Sequence, residues 1–195
     1  MQQVVSKVGP ETIKLLGGRL SLDFANSVDW SADHVPIGVE EGVADADELR
    51  RWGRRLGIDG GLPSAAEFHA AIALREALHL AFAAIAHGEA PPEDALERIA
   101  VDHAEATAAA EFVAAGGAWR LDWPASESRR VRFAAVVDAV ALLADSERLA
   151  RVRQCPGRDC GWLFLDVSGR RHWCSMATCG SRAKMRRHYA RKRGA

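Results

Sequence analysis

Cysteine is missing from the chain before Cys155 and then occurs four times by Cys179. No apolar run reaches 18 residues, so no membrane-spanning helix is expected. Met1 to Gly9 lacks the charged-then-apolar pattern of a secretory signal. The expected location is therefore the cytoplasm, where thiols stay reduced and paired disulfides are rare. No phosphate loop, dinucleotide fingerprint or Ser-His-Asp spacing is present, which leaves no recognisable catalytic constellation. An enzyme using an N-terminal pocket is the competing reading, and that absence counts against it.

What is present is enough for a packed domain and a small appendage. The 195 residues are 48% apolar and 27% charged, a composition for burying a core rather than for disorder. The net charge of zero hides an asymmetry: residues 151–195 carry +10 and residues 1–150 carry −10. A basic tail usually meets a polyanion. The opposite signs also suggest that, without a polyanion, the acidic part shields the basic one.

Residues 1–150 read as mostly helical. Asp45 to Leu56 has the pattern of an amphipathic helix ended by Gly57. Pro63 and Ser64 open the next helix, with Glu67 placed for a capping box, and Gly88 closes it. Leu74, Leu78, Ala81, Phe82 and Ile85 recur at helical spacing and should face a core. A third helix runs from about Pro92 to Ala109. Glu111 to Ala115 and Ala118 to Trp123, around Gly116-Gly117, read as a β-hairpin. Ser126 to about Leu149 reads as one further helix. It is apolar nearly all round, so it belongs in the centre of a bundle. Asp138 within it needs a partner such as Arg19 or Arg75.

The cysteines form two pairs, each with four intervening residues: Cys155-Pro-Gly-Arg-Asp-Cys160 and Cys174-Ser-Met-Ala-Thr-Cys179. Two tight turns joined by a short segment can aim four sulfurs at one point, as a tetrahedral structural Zn2+ site requires. His172 is a substitute ligand, but four thiolates already close the tetrahedron. Gly161 to Trp173, between the pairs, is expected to fold as a hairpin. After Cys179 comes a helix-forming run to Arg193. Arg182, Arg186 and Arg193 share one side of its wheel; Lys184, Arg187, His188 and Arg191 share the opposite side. Met185 with Tyr189, and Ala183 with Ala190, make narrow apolar stripes. Such a helix belongs in water or against phosphates and fits a DNA major groove. Arg170, Arg171, Arg182, Lys184, Arg186, Arg187, Arg191, Lys192 and Arg193 are the candidate nucleic-acid contacts. Duplex DNA is the favoured partner, and RNA is the alternative.

The stretch from Cys155 through Trp162-Leu163-Phe164-Leu165-Asp166-Val167-Ser168, Arg171-His172-Trp173-Cys174-Ser175-Met176 and Cys179-Gly180-Ser181-Arg182-Ala183-Lys184 closely resembles the CGNR zinc finger. Ser181 stands where that family has Asn. A serine there keeps a short side chain suited to starting a helix. Gly17-Gly18-Arg19-Leu20-Ser21-Leu22-Asp23-Phe24-Ala25-Asn26-Ser27 is similar to the ABATE domain that precedes this finger. The resemblance implies a bacterial, stress-linked transcription regulator that associates with the nucleoid when bound. The expected fold is mainly α with a small β component. Residues 1–150 would form a helical sensor or dimerisation domain containing a β-hairpin. Residues 151–195 would form a treble-clef-like four-cysteine finger of hairpin plus basic helix.

Polar residues around the apolar stretch at 20–28, namely Arg19, Asp23 and Asn26, are candidates for a small-molecule effector pocket. Asp29, Asp33 and His34 lie close by in sequence. The plainer reading is that Asp23 or Asn26 pins the backbone. His69, His79 and His87 are too far apart on their helix for adjacent metal ligands and read as surface or satisfied core histidines. A homodimer is the expected assembly if the N-terminal part has a dimerisation role.

Overall fold

The computed structural model describes residues 12–31, 33–37, 42–158 and 160–193; the Met1 to Gly9 reading lies outside them. Seven helices and three two-stranded antiparallel ribbons follow in order among the described residues. Helix α1 is Leu20–Ala25, α2 is Ala46–Arg55, α3 is Ala65–Ala86, α4 is Glu93–Ala108 and α5 is Arg130–Leu143. Short α6 is Ser146–Leu149 and α7 is Ser181–Arg193. The ribbons pair β1 (Asp29–Trp30) with β2 (Pro36–Ile37), β3 (Glu111–Ala115) with β4 (Ala118–Asp122), and β5 (Val152–Gln154) with β6 (Leu163–Leu165).

Local chemistry sets the helix starts. Asp45 accepts the Glu48 amide at the head of α2. Ser64 and Glu67 complete a reciprocal capping box at the head of α3, a device worth about 1 kcal/mol. Leu74, Leu78, Ala81 and Phe82 are fully buried, and Ile85 is partly so. By length and composition α3 could cross a bilayer, but it is the central core helix, packed by α1, α4 and α5.

The helix expected from Ser126 to Leu149 is two helices. α5 starts only at Arg130 and stops at Leu143, because Asp145 turns out of the helix and caps Arg148 to begin α6. The β3–β4 hairpin forms with the expected strands. Its Phe112 and Trp119 point into solvent.

The second expected hairpin is placed differently. β6 pairs backwards with β5, so the ribbon straddles the first cysteine pair, and Arg170 to Trp173 is a loop. Asp166 organises that loop. Its Oδ1 accepts the Ser168 hydroxyl and the Arg170 and Arg171 amides at 3.1–3.2 Å. Such local acceptance competes with a strand ladder.

The charge boundary near residue 150 is not a break in the packing. Val152, Leu163 and Leu165 belong to the same core as α1, α3 and α5. A second, smaller cluster holds Cys155, Phe164, Cys174 and Cys179, with Trp162 and Trp173 against it.

Candidate metal centre and basic helix

The ribbon turn presents the first two sulfurs. Cys155 N donates to the Trp162 carbonyl at 2.9 Å and Cys160 N to Gly157 O at 3.1 Å, closing the turn. A Cβ on Gly157 would lie 3.0 Å from Cys179 Sγ and 3.2 Å from Cys160 Cβ, so the turn passes close under the second pair. Cys174 N points back at Cys155 Sγ, 3.4 Å away. Cys179 sits in a π-turn, Met176–Gly180, that runs directly into α7. The basic helical rod therefore starts at the metal-binding turn. Ser181 has helical backbone angles and lies inside the rod, not at its cap; the turn begins after Ser175, which has the extended backbone of a cap.

All four sulfurs lie within 4.8 Å of one another. Cys160 and Cys174 are separated by 3.8 Å and Cys174 and Cys179 by 3.6 Å. A tetrahedron with Zn–S bonds near 2.3 Å has edges of roughly 3.8 Å, so the set fits zinc. These separations are far beyond a disulfide bond, and all four thiols are free. Hydrogen bonding from Cys160 pulls the Cys155 thiol down to about 2. The bond to Cys155, with burial and mutual repulsion behind it, pushes Cys160 up to about 12 and Cys174 up as well. The Cys155 thiolate is easily made, while Cys160 and Cys174 resist ionisation. A dication at the centre removes that resistance. With four protein ligands no position remains for water, which makes the site structural. His172 is exposed and outside the cluster.

The candidate nucleic-acid contacts divide in two. Arg182, Lys184, Arg186, Arg187, Arg191, Lys192 and Arg193 are all exposed along α7, as is Arg170 on the loop. Among the described residues none of the α7 cations is ion-paired. Ala183 is the one buried residue of α7; Met185, Tyr189 and Ala190 are exposed, so neither apolar stripe packs along its length and only the first turn leans inward. Arg171 is different. Its guanidinium donates to the Leu16, Cys174 and Trp173 carbonyls at 2.7, 2.6 and 3.2 Å and lies 4.3 Å from the Phe164 ring centre. It ties the second cysteine pair to the N-terminal segment.

The expected effector residues are likewise separated. Arg19 and Asp23 border a surface hollow of about 460 Å³ with Leu20, Leu56, Ile58 and Ala134. Asn26 is not part of it. Both ends of the Asn26 amide grip β6: Nδ2 donates to Leu163 O at 2.7 Å and Oδ1 accepts Leu163 N at 2.9 Å. Leu165 N donates to Gly17 O at 2.8 Å, so the outer edge of β6 is occupied. Asp23 Oδ1 accepts Gly17 N at 2.7 Å, and a Cβ on Gly17 would collide with Asp23 N at 2.7 Å, which explains the small residue there. Burial raises Asp23 to about 6 despite these backbone donors. Arg19 is the partner of Asp138, 2.8 Å away, and Ser21 adds its amide and hydroxyl. Arg75 is not.

Sequence reasoning missed the charged seam between α4 and α5. Asp102, fully buried, is held by Arg98 at 2.5 Å and by Arg132. Arg132 also reaches Glu105 at 2.7 Å, and Arg129 joins Glu105 and Glu127. The i,i+4 spacing of Arg98 and Asp102 was the available signal. Asp29, by contrast, does bear on the finger, accepting Trp162 Nε1 at 2.6 Å.

No curated protein matches this chain. Residues 151–192 match the CGNR zinc finger family. Residues 18–146 match the ABATE family, described as "Putative stress-induced transcription regulator". With both stretches matched in the expected order, the chain belongs to the ABATE family and ends in a CGNR zinc finger.

Proposed function

We propose that the protein is a zinc-dependent, duplex-DNA-binding transcription regulator of the bacterial cytoplasm. Its N-terminal part would receive a signal or form a homodimer. The observation carrying this reading is the single rod from Met176 to Arg193, anchored at a four-thiolate centre and lined with exposed cations. Thirteen residues of α7 extend about 20 Å, long enough to lie in a major groove. Arg182, Lys184, Arg186, Arg187, Arg191, Lys192 and Arg193, with Arg170 beside them, are the proposed contacts. Arg171 is assigned to internal bracing instead. The family description points to regulation rather than catalysis.

The test is selection from a random duplex library with zinc-loaded protein, with a random RNA library run in parallel. Enrichment of a defined duplex sequence is expected. Enrichment of RNA alone, or of neither pool, would overturn the DNA reading.

A further inference from the structure

The β3–β4 ribbon has two unlike faces. Residues that pair across an antiparallel ribbon share a face, and neighbours along a strand alternate. The register Phe112↔Leu121 and Ala114↔Trp119 therefore sets these four on one face. Glu111, Arg120 and Asp122, all the ionisable side chains of the two strands, are on the other. There Asp122 accepts from Arg120 and Arg130 at 2.7 Å each, which pins that face to the head of α5. The charge-free face is left open. Phe112 is 71% exposed and Trp119 70%; Ala114 is exposed and Leu121 half-buried. Gly116 and Gly117, both with positive φ, close the ribbon in a two-residue turn too short to fold back over it.

A two-stranded ribbon is marginal in water without further strands or a packed face. Two aromatics exposed on one small, charge-free face mark a contact surface rather than a solvated one. The arrangement is also self-complementary. Each strand carries one aromatic and one smaller residue on this face, in opposite order along the ribbon. Two copies laid face to face about a two-fold axis across the strands set Phe112 over Ala114 of the second copy and Trp119 over its Leu121. An axis along the strands pairs Phe112 with Leu121 and Trp119 with Ala114. In neither arrangement does aromatic meet aromatic or charge meet charge, which suits a contact made by the same patch on both copies. We propose that this face is where two copies of the chain meet. It gives a surface to the homodimer proposed above and rests on that part of the reading, not on DNA binding. At about 70% exposure, two aromatics of roughly 150–250 Å² each offer about 300 Å² per copy. With their neighbours, the two copies together bury on the order of 1,000 Å², the low end for a specific interface, so the dimer forms and dissociates with concentration.

The experiment is sedimentation velocity of the zinc-loaded full chain without DNA, over a concentration series at low and at high salt. A reversible monomer–dimer equilibrium is expected, and it should persist at high salt because the contact is apolar. W119A, and A114R as a second variant that keeps both aromatics, should each weaken it by at least about tenfold. Both positions are exposed, so zinc stoichiometry and the urea unfolding midpoint should stay at wild-type values. A dimer of unchanged affinity in either variant would overturn this surface and leave the homodimer itself standing. A dimer dissolved by high salt would be the acidic body of one copy on the basic helix of the other, and would overturn the surface equally. A chain monomeric at every concentration would remove the homodimer from the functional reading as well, with DNA binding untouched.

Discussion

The two regions reach stability by different routes. The helical body buries Leu22, Phe24, Leu74, Leu78, Phe82, Phe133 and Leu142 completely, so transfer of apolar surface from water carries it. The finger places Phe164 and three cysteines in its own cluster, with Trp162 and Trp173 partly buried beside them. That is too little apolar surface to order its residues alone. Cross-linking by metal replaces a core there. The finger then lends Val152, Leu163 and Leu165 to the larger core. The comparison shows how a small element is fixed twice, once by its ion and once by its neighbour.

Metal removal breaks the comparison most strongly. Structural zinc contributes on the order of 10 kcal/mol in such modules. Chelation, or Cys174→Ser, should strip the two cysteine turns and α7 of hydrogen-exchange protection, while α3 to α5, and the strands β5 and β6 packed on them, keep theirs. Equal protection in α7 before and after chelation would refute the division. Next comes the seam of the body: Asp102→Ala leaves the buried Arg132 with Glu105 as its remaining partner and should cost about 3 kcal/mol with zinc stoichiometry unchanged. A loss below 1 kcal/mol by urea unfolding would mean that the seam is not a structural tie.

Asp23 follows. Its folded-state value near 6 lies above the ordinary 3.8, so the folded chain holds this proton more tightly than the unfolded one. The favourable contribution is complete below about pH 4 and is lost as pH rises through about 6, on the order of 3 kcal/mol in all. Asp23→Asn should therefore gain stability relative to wild type as pH rises from 4 to 7. A difference that stays flat across that range would remove burial as the cause. Asn26→Ala tests the contact between the regions. It deletes two hydrogen bonds and leaves Leu163 unpaired, for about 1–3 kcal/mol, and should speed exchange at the Leu163 amide first. Exchange unchanged there would mean that the clamp is dispensable. Smallest of all, Arg186→Ala with Arg187→Ala should change stability by no more than about 0.5 kcal/mol. The same pair should flatten the salt dependence of DNA binding by roughly one logarithmic unit per lost phosphate contact. An unaltered slope would take both residues off the interface.

Much of this was legible beforehand because it is local. Caps, helix periods, the Gly116-Gly117 hairpin and the paired cysteines are written in neighbouring residues. What escaped depends on partners distant in sequence. Asn26 looks like a pocket residue until Leu163 arrives 137 positions later. Arg171 counts as one more cation until the carbonyls of Leu16 and Cys174 enclose it. The true partner of β6 is invisible in the sequence because β5, only three residues long, has no pattern of its own. Ser181 looks like the start of a helix because the preceding π-turn has no sequence period by which to recognise it.

The grip of Asn26 on β6 leaves no slack between body and finger, so α7 works as a tiller fixed to α1. A rotation of about 10° at α1, carried rigidly along a 13-residue helix, sweeps its far end through about 3 Å. That sweep is close to the step of roughly 3.4 Å between successive bases along one DNA strand. In the proposed DNA complex, a change too small to alter the core of the body would be large enough, at the tip, to move an arginine from one base step to the next.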